Sequence, residues 1–224
     1  SREVCCEFLG KKWAAIMVGL RLTQSQATFD KLVLNALVVD LNSYFKKSLV
    51  NITDPVRQEV RQALLSSNTI LDLSGPSKLR AALGIPKGQN VTTSIIEAVA
   101  NSVIIVPRPI KLTGKNFTGG FSINVQSDDF ANLLGADFGR VDTEKGAQIP
   151  WLSWLLTRGS SIIVANFGVK YRSGTGRSGG GQMAKGYAPF SIDPIHSGTL
   201  GDNFVTRALE KNADDIIKAI MRAF

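Results

Sequence analysis

The chain has 224 residues, 44% of them apolar and 20% charged, a balance that excludes wholesale disorder and suffices for a sizeable core in one large domain or two small ones. Lys and Arg outnumber Asp and Glu by 26 to 18, and the resulting net charge of +8 favours acidic partners: nucleic acid, an anionic membrane surface or an acidic protein face. No dense Lys/Arg tract concentrates that charge, and the two thiols, Cys5 and Cys6, are vicinal, which excludes a disulfide framework and fits a reducing compartment at synthesis.

In chain order, residues 13–20 come first, apolar but closed by Arg21 and too short to span a bilayer, which needs about 20 apolar residues. They read as a buried helix or an interface segment. Between residues 28 and 49, Phe29, Leu32, Val33, Ala36, Leu37, Leu41, Tyr44 and Phe45 recur at helical spacing. A second helix is predicted over residues 54–65, with Asp54 as N-cap and Pro55 at the first helical position, where its missing N–H costs nothing. Ser66-Ser67-Asn68 breaks the pattern. Ser74-Gly75-Pro76 is a turn, Ser77 caps a short helix ended by Gly84 and Pro86, and a further helix covers residues 92–101.

The texture changes near residue 102. Val103 to Val106 is a β-branched run that continues beyond Pro107 and Pro109, and Phe121 to Val125 alternates like a half-exposed strand. A short helix near residues 128–134 and a compact one from Pro150 to Gly159 follow. Residues 161–164 and 167–171 read as one bent strand or two short ones, and residues 182–184 as a return strand. Asp202 is expected to cap a final helix with an apolar stripe of Phe204, Val205, Ala208, Leu209, Ile216, Ile217, Ile220 and Phe224. The fold class is therefore α+β: a helical part (1–101), then a β-rich part (102–224) with a small twisted, mainly antiparallel sheet packed on helices and a C-terminal helix, together one compact unit. Trp151, Trp154, Phe204 and Ile216 are expected in its core.

The motifs that usually carry chemistry fail their own structural conditions. Gly174-Thr-Gly176-Arg-Ser-Gly179 satisfies G-x-G-x-x-G, but a dinucleotide site needs a helix directly after the loop, and here Gly180 and Gly181 prolong the flexible run. The loop reads instead as a flexible, basic hairpin connection. His196 is the only histidine, which excludes His-pair catalysis and His-metal clusters, and no G-x-S-x-G elbow accompanies it. Cys5 and Cys6 lack C-x-x-C spacing, and Asp128/Asp129 and Asp214/Asp215 are neighbours that diverge by about 100° on a helix. No catalytic, cofactor or metal residue is assigned. Partner contact is placed on Lys170, Arg172, Arg177 and Lys185, with Gly174, Gly176, Gly179, Gly180 and Gly181 supplying the flexibility of the arm.

In the C-terminal third, a strand, a glycine-rich basic loop, Tyr187-Ala-Pro-Phe190, Gly198-Thr199 and a helix opening on Asn203-Phe-Val-Thr-Arg-Ala-Leu-Glu210 follow one another. This order resembles the neck and tail-completion proteins of long-tailed bacteriophages, in which Gly-Thr and Phe-x-x-x-Ala-Leu/Phe-Glu start the terminal helix. The chain departs from the commoner pattern at Val205-Thr206-Arg207, where Leu-Arg-Pro is frequent, and in its inserted helices between 54 and 101. The resemblance implies a structural virion protein of the head–tail connection, assembled in host cytoplasm as a homo-oligomeric ring of roughly six or twelve copies. It implies docking on neighbouring connector and tail proteins, transient contact with packaged DNA and no membrane. Residues 172–186 and 8–22 would be the arms that order on a neighbour. The rival reading is a basic nucleic-acid-binding protein, which requires aromatics exposed beside the basic loop.

Overall fold

A computed structural model describes residues 25–114, 116–125, 129–143 and 146–223. The thiols, the segment 13–20, the arm 8–22, Asp128 and Phe224 lie outside the described residues. The molecule is built on helix α1 (Gln26–Leu65), 40 residues long and about 60 Å at 1.5 Å per residue. Ser25 caps its start by accepting from the Thr28 N–H. Two helices were expected here; the structure has one, with Pro55 inside it. An internal proline costs about 3 kcal/mol. Ile52 and Val56 on either side of it, with Val60 and Leu64 beyond, are fully buried on one face, and each is worth about 1.5–3 kcal/mol of burial that a break would forfeit. Asp54 accordingly caps nothing and pairs with Arg57 at 3.8 Å on the surface.

Three short helices wrap the inner end of α1: α2 (Asn68–Ser74), α3 (Lys78–Leu83) and α4 (Val91–Asn101). Ser77 caps α3, and Gly84 ends it in the left-handed conformation (φ 69°) that glycine adopts without penalty. Arg80, buried, donates to the carbonyls of Leu73, Pro86 and Gln89 and so ties the ends of α2 and the α3–α4 loop together. Burial pulls its guanidinium below the ordinary value. Arg61 holds Glu97 through two bonds of 2.9 Å, which pins α4 to α1.

Strands β1 (Ile104–Thr113) and β2 (Asn116–Asn124) form an antiparallel hairpin. Two prolines interrupt β1, and the register slips between Arg108 and Lys111. The slip leaves Ile110 without a partner in the ladder. Asn42 of α1 supplies it: its amide donates to the Ile110 carbonyl at 2.9 Å, and its side-chain oxygen accepts from the Ile110 N–H at 2.7 Å. Gly119 faces the bulge, where a Cβ would run into the backbone of Pro109 and Ile110.

The chain then passes through α5 (Ala131–Leu134), a 3-10 turn, the minimal hairpin β3 (Val141–Asp142) and β4 (Gln148–Ile149), α6 (Trp151–Thr157), and the hairpin β5 (Phe167–Tyr171) and β6 (Gly181–Lys185). The strands thus form three two-stranded antiparallel ribbons, each closed by its own turn, instead of one sheet. The class is α+β as expected. The end of the chain departs from expectation. Asn203, and not Asp202, caps α7 (Phe204–Lys211), accepting from the Val205 and Thr206 N–H groups while Thr206 bonds back to the Asn203 N–H. Asp202 instead pairs with Arg207 at 2.6 Å. The helix also breaks at Asn212, whose side chain donates to the Ala208 carbonyl, before α8 (Ala213–Ala223) restarts. Phe204, Val205, Ala208, Ile216 and Ile220 of the stripe are buried, Leu209 is half-buried, and Ile217 faces solvent. One hydrophobic cluster runs from Ile52 to Ile220 and includes fully buried Trp151, with Trp154 packed at its edge against Phe190.

Candidate interaction surfaces

The glycine-rich segment is a folded turn. Within it Arg172 N–H donates to Gly180, Gly174 to Gly179, Thr175 to Arg172, Gly179 to Gly176 and Gly181 to Thr175, and Gly180 N–H reaches the Ser178 hydroxyl. Gly174, Gly176 and Gly179 all have positive φ, and a Cβ at Gly176 would collide with the Gly181 carbonyl. Gly180 packs against Ala81 of α3. The run of glycines, expected to supply a flexible arm, here serves left-handed backbone and close approach, and five of the turn's amides bond to its own carbonyls.

Nor do the expected cations converge. Cross-strand partners share a face, and Lys170 pairs with Gln182 whereas Lys185 pairs with Phe167, so the two lysines occupy opposite faces of the ribbon. Arg177 turns back and donates to the Asp142 carbonyl. Arg172 remains exposed at the base of the turn.

What the turn does build is a cleft of about 1100 Å³ against the α2–α3 turn and the α3–α4 loop. Gly174, Gly179 and Gly180 form one wall, and Lys78, Lys87, Gln89 and Asn90 the other, with Tyr171 at the end. Among the described residues no carboxylate lines it. Lys78 and Lys87 are exposed and form no ion pair among the described residues. Neither lysine belongs to a motif; the two turns that carry them, Pro76-Ser77-Lys78 and Pro86-Lys87-Gly88, were the available signal.

Ser77, Lys78 and Tyr171 also border a second cavity of about 450 Å³, which holds Asp72, Asp193 and His196. His196 lies between Thr69 Oγ1 at 3.1 Å from Nδ1 and Asp72 Oδ2 at 3.2 Å from Nε2. The order hydroxyl–imidazole–carboxylate resembles a nucleophile triad, but the hydroxyl belongs to Thr69, only 1% exposed, which no substrate reaches. The group fastens the loop before α7 to α2. No group of three or more His, Cys, Asp or Glu side chains that could hold a metal occurs among the described residues.

The second surface is the outer half of α1. From residue 29 to 41, nine of thirteen residues are apolar. Leu34, Val38, Leu41 and Phe45 lie half-buried on the face that meets β1 and β2, where the Phe45 and Phe121 rings meet at a tilt, centroids 6.2 Å apart. Phe29, Leu32, Val33 and Val39 occupy the opposite face, Leu32 at 52% and Val39 at 68% exposure. No helix of the described residues is long and apolar enough to cross a membrane. No protein-family model, no curated protein and no solved structure matches the chain.

Proposed function

We propose that this protein is a structural component of the head–tail connection of a long-tailed bacteriophage, a neck or tail-completion subunit that works as a homo-oligomer and docks on neighbouring connector or tail proteins within the virion. The observation that carries the reading is the outer half of α1. A helix that is apolar around most of its circumference is a buried helix, and among the described residues this one has cover on a single face. Contiguous exposed apolar surface of this kind marks protein contact. The order of features from the glycine-rich turn to Glu210 supports the phage assignment, because it resembles that family.

The rival, sequence-independent binding of nucleic acid, draws on the net charge of +8. The hairpin cations suit it poorly, since a phosphodiester backbone needs cations along one track and Lys170 and Lys185 face apart.

Light scattering of the full chain tests the reading. The expected result is a mass several times the protomer's, reduced to the protomer's by Leu32→Lys with Val39→Lys, while the melting temperature of the dissociated chain is unchanged. A chain that stays monomeric at roughly 100 μM, where even an interface of about −5.5 kcal/mol associates, removes the proposal.

A further inference from the structure

The cleft beside the glycine-rich turn is occupied by nothing in the fold, yet its lining is one-sided. We infer that it is a docking site for a short, extended acidic peptide segment of a partner protein, held by Lys78 and Lys87. The inference concerns a single copy of the chain and stands apart from the oligomer reading.

Three observations select this ligand. First, no carboxylate lines the cleft among the described residues, so the charge of Lys78 and Lys87 is uncompensated by its lining, and it attracts an anion. Buried Arg80 adds its charge to that field, while its guanidinium is held by three carbonyls. Second, phosphate groups are usually cradled by several convergent loop amides, and here the amides of residues 172, 174, 175, 179, 180 and 181 are bonded within the turn, which leaves only those of Ser173 and Ser178 among the turn residues that line the cleft. The two helix starts at the cleft, those of α3 and α4, are closed by the Ser77 and Asn90 side chains, which accept from the Arg80 and Thr93 N–H groups. Ligand charge is thus met by ammonium groups, which suit a carboxylate as well as a phosphate, and by the neutral amides of Gln89 and Asn90, which suit a peptide main chain.

Third, the positive stretch is bounded. Beyond Lys78 the cleft runs into the cavity lined by Asp72 and Asp193. A continuous polyanion leaving on that side meets two carboxylates, and Tyr171 is the single aromatic side chain at the cleft on which a base would stack. A peptide with a few successive Glu or Asp residues ends its charge where the cleft does. The stem of Lys87 passes beside Gly179 of the turn.

Fluorescence anisotropy on the full-length protein at low salt tests this, with a labelled Gly-Glu-Glu-Glu-Glu-Gly peptide and a labelled oligothymidylate as probes. The peptide is expected to bind, and Lys78→Ala with Lys87→Ala to weaken it by about tenfold or more. Lys46→Ala with Lys47→Ala, which removes equal charge from exposed positions on α1, leaves it within about twofold, the residual effect of exposed charge. Oligothymidylate binding, where present, is expected to be indifferent to the cleft substitution. Since Lys78 and Lys87 are exposed, the variants keep the wild-type melting temperature. Absence of peptide binding, equal losses from the cleft and α1 variants, or oligothymidylate binding that collapses with Lys78 and Lys87 each overturns the assignment, the last in favour of a nucleic-acid groove.

Discussion

Residues 48–65 of α1 bury Ile52, Val56, Val60 and Leu64 along one face and turn Arg57, Glu59 and Arg61 away from it. Residues 29–41 of the same helix are apolar on two opposite faces, and the described residues cover only one of them. Backbone and periodicity are continuous between the halves, so secondary structure does not separate them; what differs is whether this chain's own elements supply a lid. The inner half is pinned to α4 through Arg61 and Glu97, and the outer half meets the β1–β2 hairpin through Asn42 and Phe45. A helix can thus be completely formed and still incompletely buried, and the uncovered face is where contact with another chain would be made.

Four substitutions break or sharpen this contrast. The largest effect belongs to the inner half: Ile52→Ala leaves a cavity in a fully buried layer and should cost about 2–5 kcal/mol, read as a melting temperature lower by roughly 4 °C or more. A loss under about 0.5 kcal/mol would mean that the inner half is not core. Next comes the junction. Asn42→Ala deprives Ile110 of donor and acceptor together and should cost about 1–3 kcal/mol, with hydrogen exchange accelerating in the hairpin and not in α4. Exchange that rises equally in both elements would show that Asn42 supports the whole fold and not the hairpin alone.

A smaller effect is set by pH. The bond from Arg61 holds the Glu97 carboxyl below its ordinary value of 4.5, so the folded state favours the charged form. Its contribution is intact above pH 4.5 and is lost as the pH falls through the lowered value. Thermal melts of wild type and Glu97→Gln should therefore differ at neutral pH and converge in acid; a gap independent of pH would assign it to shape and not charge. The smallest effect on folding belongs to the outer half. Leu32→Ala should change the stability of the isolated protomer by less than about 0.5 kcal/mol while weakening self-association. A protomer destabilised like Ile52→Ala would erase the contrast.

Much of this architecture is legible locally. Ser77 before α3, Gly84 after it, the alternation of Phe121 to Val125 and the apolar spacing after Asn203 each announce an element, because capping, turn formation and periodicity act within a few residues. The candidate sites were less legible. The glycine run advertises flexibility on composition, and only its packing against Ala81 shows that the glycines are there for close approach. Lys78 and Lys87 carry no motif, and their convergence with Gly174 and Gly179 joins segments that lie far apart in sequence.

Local sequence accounts for the helical segments up to their junctions, the ribbon around the glycine-rich turn, the α+β class and the apolar surplus of residues 29–41, since these depend on neighbouring side chains and on hydrophobic period. Tertiary structure alone decided that α1 runs through Pro55, where burial on both sides outweighs a lost hydrogen bond. It decided that Asn42 completes a strand 68 residues away, and that His196 finds Thr69 127 residues back instead of pairing with nearby Asp193. Such choices rest on which distant surfaces meet, and that is settled by packing the whole chain at once.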